Sequence, residues 1–393
     1  MTPPIVPWRF AAGGLAITVI IVTGVVVVRS VRPDPSSAST GSPDPSTAST
    51  GSPVPDFTLA VGGRTAEQVG RGFLAANVDP DGRVVRRDQD GDTVSEGQAY
   101  AMLVAVALGD RATFRAVWSW TSRHLVRPDQ TLSWHWRDGS VADASSAADA
   151  DLDAARALVI AGRAFEDAEL TTAGIKLGQA VLDVETVVTP LGRILVAGDW
   201  AREDPYAYNP SYPSPVAFHL LHRASGDQRW IELAEGSRAA TRAFLDRNRL
   251  PPDWAQVDSR GGVRATAGPG GNGSEGVQYG YDAARMPLRY AESCSSDDVA
   301  LAARLIAPLS RAPRHAAVRN LDGEAIGADE SVVAMAGLAA VYAASGDRHR
   351  SATALAAADQ LQQRQPSYYG GAWNALGRLM LTDRTLGGCP PLT

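Results

Sequence analysis

The chain has 393 residues, 45% of them hydrophobic, enough apolar surface for one large core or two smaller ones. With 37 Lys and Arg against 43 Asp and Glu the net charge is −6, and no basic stripe of the kind nucleic acid needs is present, which argues against a nucleic-acid partner. Nine Trp and ten Tyr supply flat amphipathic rings that serve a core or stack on sugars.

Residues 1–9 form a short segment ahead of residues 10–28, FAAGGLAITVIIVTGVVVV, an uninterrupted run of apolar and small residues. About 19 such residues suffice to cross a bilayer as a helix. A cleaved signal peptide has a shorter apolar core and an A-x-A-like exit. Neither is visible, so a single-pass signal anchor is expected, a membrane contact with the rest of the chain outside the cell. Arg9 and the N-terminal amine oppose Arg29 and Arg32, so charge bias does not set the orientation. Residues 29–55 contain PDPSSASTGS followed by PDPSTASTGS, a composition that packs no core and reads as a spacer holding an exported domain off a membrane. The folded domain is expected over 56–393. In an exported chain its two cysteines, Cys294 and Cys389, read as one disulfide closing a long loop.

From Thr65 to Leu381 the sequence is Ala-rich, with apolar residues three and four apart and almost no β-type alternation. The spacing predicts about twelve helices, near 64–77, 95–109, 112–125, 149–166, 171–185, 212–224, 228–247, 279–292, 296–309, 328–345, 348–363 and 369–382. Breaks fall at Gly, Pro and Asp, as in GD at 109–110 and SGD at 225–227 and 345–347. The fold class is all-α. Twelve antiparallel helices make six hairpins, and six hairpins close into a two-layered ring with its long connections gathered at one end. Those connections, 126–148, 186–211 and 248–278, carry WHWRDG, GDW with YNPSY, and PPDW. Loops on a rigid scaffold are the usual place for function.

The stretch DGDTVSEGQAYAMLVAVALGD, residues 90–110, opens a helix with Ser-Glu-Gly-Gln. Ser95 and Gln98 fit a capping box. Gly97 costs about 0.5–1 kcal/mol relative to Ala in a first turn, so something is expected to approach the backbone there. Glu96 stands beside whatever approaches, although an acid in a first turn is also favoured by the helix dipole alone. In SAADADLDAARAL, Asp149 and Asp153 share one helix face while Asp151 points elsewhere; the cluster reads equally as a solvated helix start or as a site. In YGYDAARMPLR, Asp282 lies among Tyr279, Tyr281 and Arg285, which describes either an exposed ion pair or an orienting shell for a catalytic acid. The six histidines show no close metal spacing. Asp88, Asp90 and Asp92 mimic a calcium loop, but Thr93 and Ala99 replace its required Gly and Glu. Carboxylate chemistry remains.

SEGQAYAM at 95–102, SWHWRDG at 133–139, SAADADLDAARAL at 146–158, NPSY at 209–212, PPDW at 251–254 and YGYDAARMPLR at 279–289 resemble, in order and spacing, the landmarks of glycoside hydrolase family 8. That family comprises bacterial endo-β-1,4-glucanases with related xylanases, chitosanases and lichenases, and the resemblance covers about 56 to 385. It implies an (α/α)6 barrel, a monomer, a β-linked polysaccharide as substrate, and no metal or organic cofactor. By residue it implies that Glu96 is the proton donor, that Asp282 is the general base, and that Asp149 holds the sugar at the point of cleavage. Trp134, Trp136, Tyr212 and Tyr281 would be stacking or cleft-lining rings, and Arg285 would orient the acids. The chain departs from the family pattern at Ala148, usually Ser or Thr, at Ala154, usually Ile or Met, and at Arg156, usually aromatic or small. Ala99 and Ala101 also replace commoner Ser or Gly. An inverting mechanism requires the donor and base carboxyls roughly 6.5–9.5 Å apart, a protonated Glu96 and an ionised Asp282.

Overall fold

The computed structural model describes residues 64–269 and 276–393; the expected membrane segment at 10–28 and spacer at 29–55 lie outside the described residues. Among the described residues no helix is long and apolar enough to cross a membrane.

The Ala-rich periodic segments are helices, and their polar punctuation caps them. Helix α1 (Ala66–Asn77) begins with a full capping box between Thr65 and Gln68. After α2 (Ser95–Ala107) comes α3 (Arg111–His124), capped by Asp110. Helices α4 (Ala148–Ala164) and α5 (Ala168–Val184) follow, the second capped by Asp167. Ser214 caps α6 (Pro215–Ser225), which ends on the left-handed Gly226 before α7 (Arg229–Arg247). The C-terminal part holds α8 (Met286–Ala291), α9 (Ser296–Ala303), α10 (Ile306–Leu309), α11 (Val332–Ala344), α12 (Arg348–Arg364) and α13 (Tyr368–Thr382).

Helix α2 packs on α4, α4 on α6, α6 on α8, α8 on α11, α11 on α13, and α13 returns to α2. Outside this closed cycle, α3 packs on α2, α5 on α4, α7 on α6, α9 on α8, α12 on α11 and α1 on α13. Composition sorts the two layers. Helices α2 and α11 are apolar all round and almost wholly buried, whereas α3 buries only Phe114, Val117, Trp120 and Thr121.

The elements differ from the sequence reading at five points. The segment 279–292 is helical only from a single 3₁₀ turn at Ala283–Arg285 into α8, and 296–309 splits into α9 and α10. The helix expected from 328 starts at Val332, where Ser331 caps it, and the one expected from 212 starts at Pro215. The connections also carry strands of two to four residues, too short to show a two-residue period. They are β1 (Thr93–Val94), β2 (His135–Arg137), β3 (Ser140–Asp143), β4 (Thr186–Thr189), β5 (Gly192–Leu195), β6 (Tyr206–Tyr208), β7 (Trp254–Val257) and β8 (Val263–Thr266). They form antiparallel sheets in the orders β1-β2-β3, β4-β5 and β6-β7-β8.

Cys294, just after α8, is bonded to Cys389 in the C-terminal tail, as expected, and both are exposed. Beside them Arg156 forks onto Glu292 at 2.7 and 2.8 Å and donates to the Leu386 carbonyl, while the Cys389 amide donates to the Glu292 carbonyl. The arginine at this unusual position thus fastens the tail to the inner helices.

Candidate active site

Strand β1 runs directly into α2, and the Ser95 amide donates to the Trp134 carbonyl at 2.9 Å. That bond takes the group a capping box would have served, and the expected box does not form. Val94 is the N-cap with no side-chain bond, and Ser95 Oγ is buried without a partner. Gln98 instead reaches inward, accepting from the Val84 amide at 2.6 Å and donating to Thr121 Oγ1 at 2.7 Å. The close approach expected at Gly97 is real, and Tyr368 makes it: a Cβ there would lie 2.3 Å from the phenolic oxygen.

The turn so built presents Glu96, whose Oε2 is buried with no hydrogen-bond partner. Burial, and then the neighbouring Asp149 charge, push its carboxyl up to about 7, against the pull of Arg86 and Arg285.

Asp149, Asp151 and Asp153 are all buried, so the start of α4 is not a solvated acidic turn. The face-sharing expectation holds. Asp149 Oδ2 accepts from Arg285 Nη1 at 2.6 Å, and both Asp153 oxygens accept from Arg289 at 2.7 Å. Asp151 turns away, accepts from the Leu132 amide and faces Glu185.

Asp282 begins the 3₁₀ turn and accepts from Arg285 Nη2 at 2.9 Å. One guanidinium, itself 3% exposed, therefore joins Asp149, 1% exposed, to Asp282, whose side chain is 32% exposed. Of the two acids, Asp282 is the one open to solvent. Desolvation and the Asp253 charge move its carboxyl up from the ordinary value, while Arg285 and the nearby polar side chains of Asn209 and Trp254 favour the charged form. Register explains the last two: Tyr208 pairs with Ala255, so the next positions along β6 and β7, Asn209 and Trp254, stand side by side. Asp253 fastens the turn from beneath, accepting from the Gly280 and Ala283 amides at 2.8 Å each.

Arg285 also donates to Tyr100 Oη at 3.1 Å and lies over the rings of Tyr212 at 5.3 Å and Trp373 at 5.8 Å. Tyr212 is buried, and burial with the charges of Asp149, Asp282 and Glu96 pushes its hydroxyl up. Tyr281 is 47% exposed, and its carbonyl accepts from Tyr369 at 3.0 Å. Trp134 is half-buried and stacks on His135 at 4.8 Å. Trp136, also half-buried, follows a register shift between His135 and Trp136 and packs against the core, edge-on to Trp120 at 5.3 Å with Arg83 over its face at 4.3 Å.

Tyr100, Trp373, Asn209, Trp254 and Asp253 were not singled out in the sequence as site residues. Asn209, Trp254, Asp253 and Tyr100 lie inside the NPSY, PPDW and SEGQAYAM landmarks, which is the available signal; Trp373 looks like a core residue on an apolar helix and carries none.

The chain matches the model of Glycosyl hydrolases family 8 over residues 65–344. It is similar to a probable endoglucanase of Novacetimonas hansenii, 31% identical over 225 residues, 56% of this chain and 64% of that protein. An endoglucanase of Xanthomonas axonopodis pv. citri is 34% identical over 231 residues, 55% of this chain and 57% of the relative. These matches span more than half but less than two thirds of the length of either relative. In fold, the chain is similar to the endo-beta-1,4-glucanase CMCax from Acetobacter xylinum, with a TM-score of 0.69 at 24% identity over 81% of this chain and 98% of that one. It is also similar to a beta-1,3-1,4-glucanase from Paenibacillus sp. X4, with a TM-score of 0.71 at 17% identity over 80% and 90%. The family match takes in the elements that carry Glu96, Asp149, Asp282 and Arg285, and this protein belongs to Glycosyl hydrolases family 8.

Proposed function

We propose that this chain is an endo-acting glycoside hydrolase that cleaves β-1,4-linked glucan with inversion of configuration. Glu96 protonates the leaving oxygen, Asp282 activates water from the opposite face of the sugar, and Asp149 grips the ring at the point of cleavage. The carrying observation is the division of labour around Arg285. The guanidinium binds the buried Asp149 and the half-buried Asp282, whereas Glu96 has no hydrogen-bond partner at Oε2 and a carboxyl pushed to about 7. A carboxyl that keeps its proton near neutrality beside one that accepts from a guanidinium is the pairing acid–base hydrolysis needs. The relatives' names, endoglucanase and probable endoglucanase, favour β-1,4-glucan over xylan or chitosan. Trp134, Tyr212 and Tyr281 are read as cleft rings for the sugars.

The closed cycle of six helices inside six others supports reading the scaffold as an (α/α)6 barrel. The Cys294–Cys389 bond supports an exported domain, since such bonds persist in oxidising compartments, and we read it as a monomer tethered through residues 10–28.

The test is reducing-end release from soluble β-1,4-glucan, xylan and chitosan, with product anomers followed by NMR. The expected result is α-anomeric products from glucan, and a loss of about 10²–10⁴-fold in Glu96→Gln and in Asp282→Asn with the fold intact. Wild-type protein inert on all three polymers, or β-anomeric products, would overturn the reading.

A further inference from the structure

Helices α4 and α8 are separated in the inner cycle by α6, yet three buried ion pairs join α4 to α8 and the two residues that cap it, Arg285 and Glu292. Asp149 meets Arg285 at 2.6 Å, Asp153 meets Arg289 at 2.7 Å, and Glu292 meets Arg156 at 2.7 Å. Each pair spans the same 136 residues of sequence. Positions 149, 153 and 156 therefore face positions 285, 289 and 292 in constant register, so the two segments run in the same direction. Steps of four and three residues are one helical turn, and the pairs stack as rungs inside the cycle.

The end rungs have evident employment. The first holds Asp282 as well as Asp149, and the third is tied to the tail through Leu386 and the disulfide-bonded Cys389. The middle rung touches neither the cleft nor the tail; Asp153 and Arg289 are both fully buried. A buried ion pair is commonly no more stabilising than an apolar pair of the same volume, so stability alone does not account for it. Its bonds are two parallel contacts of 2.7 Å, a fork that fixes rotation as well as distance. Arg289 lies over the Trp373 ring at 5.5 Å, the same ring that carries Arg285 at 5.8 Å. Tyr100, which accepts from Arg285, meets that ring edge-on at 5.4 Å.

We infer that Asp153 and Arg289 are positioning residues for the acid–base chemistry: their fork sets the depth and rotation of α8 against α4, and with them the placing of Asp149 and Asp282 on Arg285. The inference rests on the functional reading above. Arg289 also acts on Asp149 by charge. Facing Asp149 are Glu96 and Tyr100 from α2, Arg285 and Arg289 from the α8 segment, and Asp153 on its own helix. Tyr369 from α13, Tyr212 and Glu185 complete its surroundings. Among the charges acting on Asp149, the favourable pull of Arg289 outweighs the repulsion of Asp153. Removing both leaves Asp149 ionising at higher pH.

The experiment compares wild type with Asp153→Leu/Arg289→Met, a neutral couple, and with Arg289→Lys, which keeps the charge and loses the fork. Folding is checked by circular dichroism and by the intact disulfide. The couple is expected to lower kcat by about 10–100-fold with KM little changed, and to move the acid limb of the pH profile upward. Arg289→Lys is expected to lower kcat while the acid limb stays in place. A purely structural role would change melting temperature and leave kcat and the limb alone, and that result overturns the inference. If the couple does not fold, Arg289→Lys decides, and wild-type kcat in it is equally fatal. Should wild type hydrolyse no β-linked glycan, the functional reading fails separately. Carboxyl NMR of ¹³C-labelled aspartate then tests the rung, and an Asp149 titration identical in wild type and the neutral couple sinks it.

Discussion

Gly97 and Tyr368 stand so close that the first carbon of any side chain at position 97 would lie 2.3 Å from the tyrosine oxygen and 3.3 Å from the ring carbon bearing it. The tyrosine is buried and its oxygen has no hydrogen-bond partner. Contact with Gly97 is therefore steric, and it sets how deeply the first turn of α2, with Glu96 on it, sits against α13. Gly97→Ala is expected to cost about 1–3 kcal/mol by overpacking and to lower activity by shifting Glu96. Tyr368→Phe in the same chain removes the nearer atom and is expected to restore much of both. Denaturant titration and initial rates check this, and a Gly97→Ala protein as stable and as active as wild type would contradict it.

The Glu96 carboxyl lies at about 7, and the donor must carry its proton. Hydrolysis is therefore expected to be retained below pH 7 and to fall as pH rises through 7, with kcat/KM losing about tenfold per unit beyond it. A profile flat to pH 9 would remove Glu96 from the donor role.

Asp151 Oδ2 and Glu185 Oε2 are buried without a hydrogen-bond partner, and burial pushes both carboxyls toward the protonated form, with the Glu185 charge adding to the effect on Asp151. Burial pushes Glu185 up to about 8 from an ordinary 4.5. An acid whose folded pKa is raised contributes stability that is complete below its unfolded value and is lost as pH rises through the folded one. Unfolding free energy, read from denaturant titrations, is therefore expected to fall between about pH 4.5 and 8, with a slope of at most about 1.4 kcal/mol per unit from this group. Glu185→Gln should flatten that dependence; an unchanged slope in the variant would assign it to other groups.

Cys294 and Cys389 close a separation of 95 residues and hold the tail against Arg156 and Glu292. Replacing both with Ser is expected to cost about 2–4 kcal/mol. Mass spectrometry of unreduced protein should find no free thiol. If reductant leaves the melting temperature unchanged, the bond carries no stability.

Much of this was legible along the chain. Asp110, Asp347 and Gly226 were visible as punctuation, and each ends or begins a helix as read. That Asp149 and Asp153 share a face follows from the helical repeat, and the structure pairs them with two arginines that are themselves four residues apart. Local signals misled where a neighbour from elsewhere in the chain had already taken the group in question. Ser95 looks like a cap, but the Trp134 carbonyl occupies its amide, and Gln98 is drawn inward by Val84 and Thr121. Trp136 looks like a free ring beside Trp134, but after a register shift in β2 one side of it rests against the core, edge-on to Trp120.

By itself the sequence determined where helices lie, which faces they bury and which acids lie at helix starts, because these depend on residues three or four apart. Only the tertiary structure decided which carboxylates meet and which keep a proton. Arg285 reaches Asp149 across 136 residues of sequence, and Glu96 is pushed to about 7 by a burial that exists only once the inner helices close around it. Desolvation and charge act through space, and no spacing along the chain encodes them.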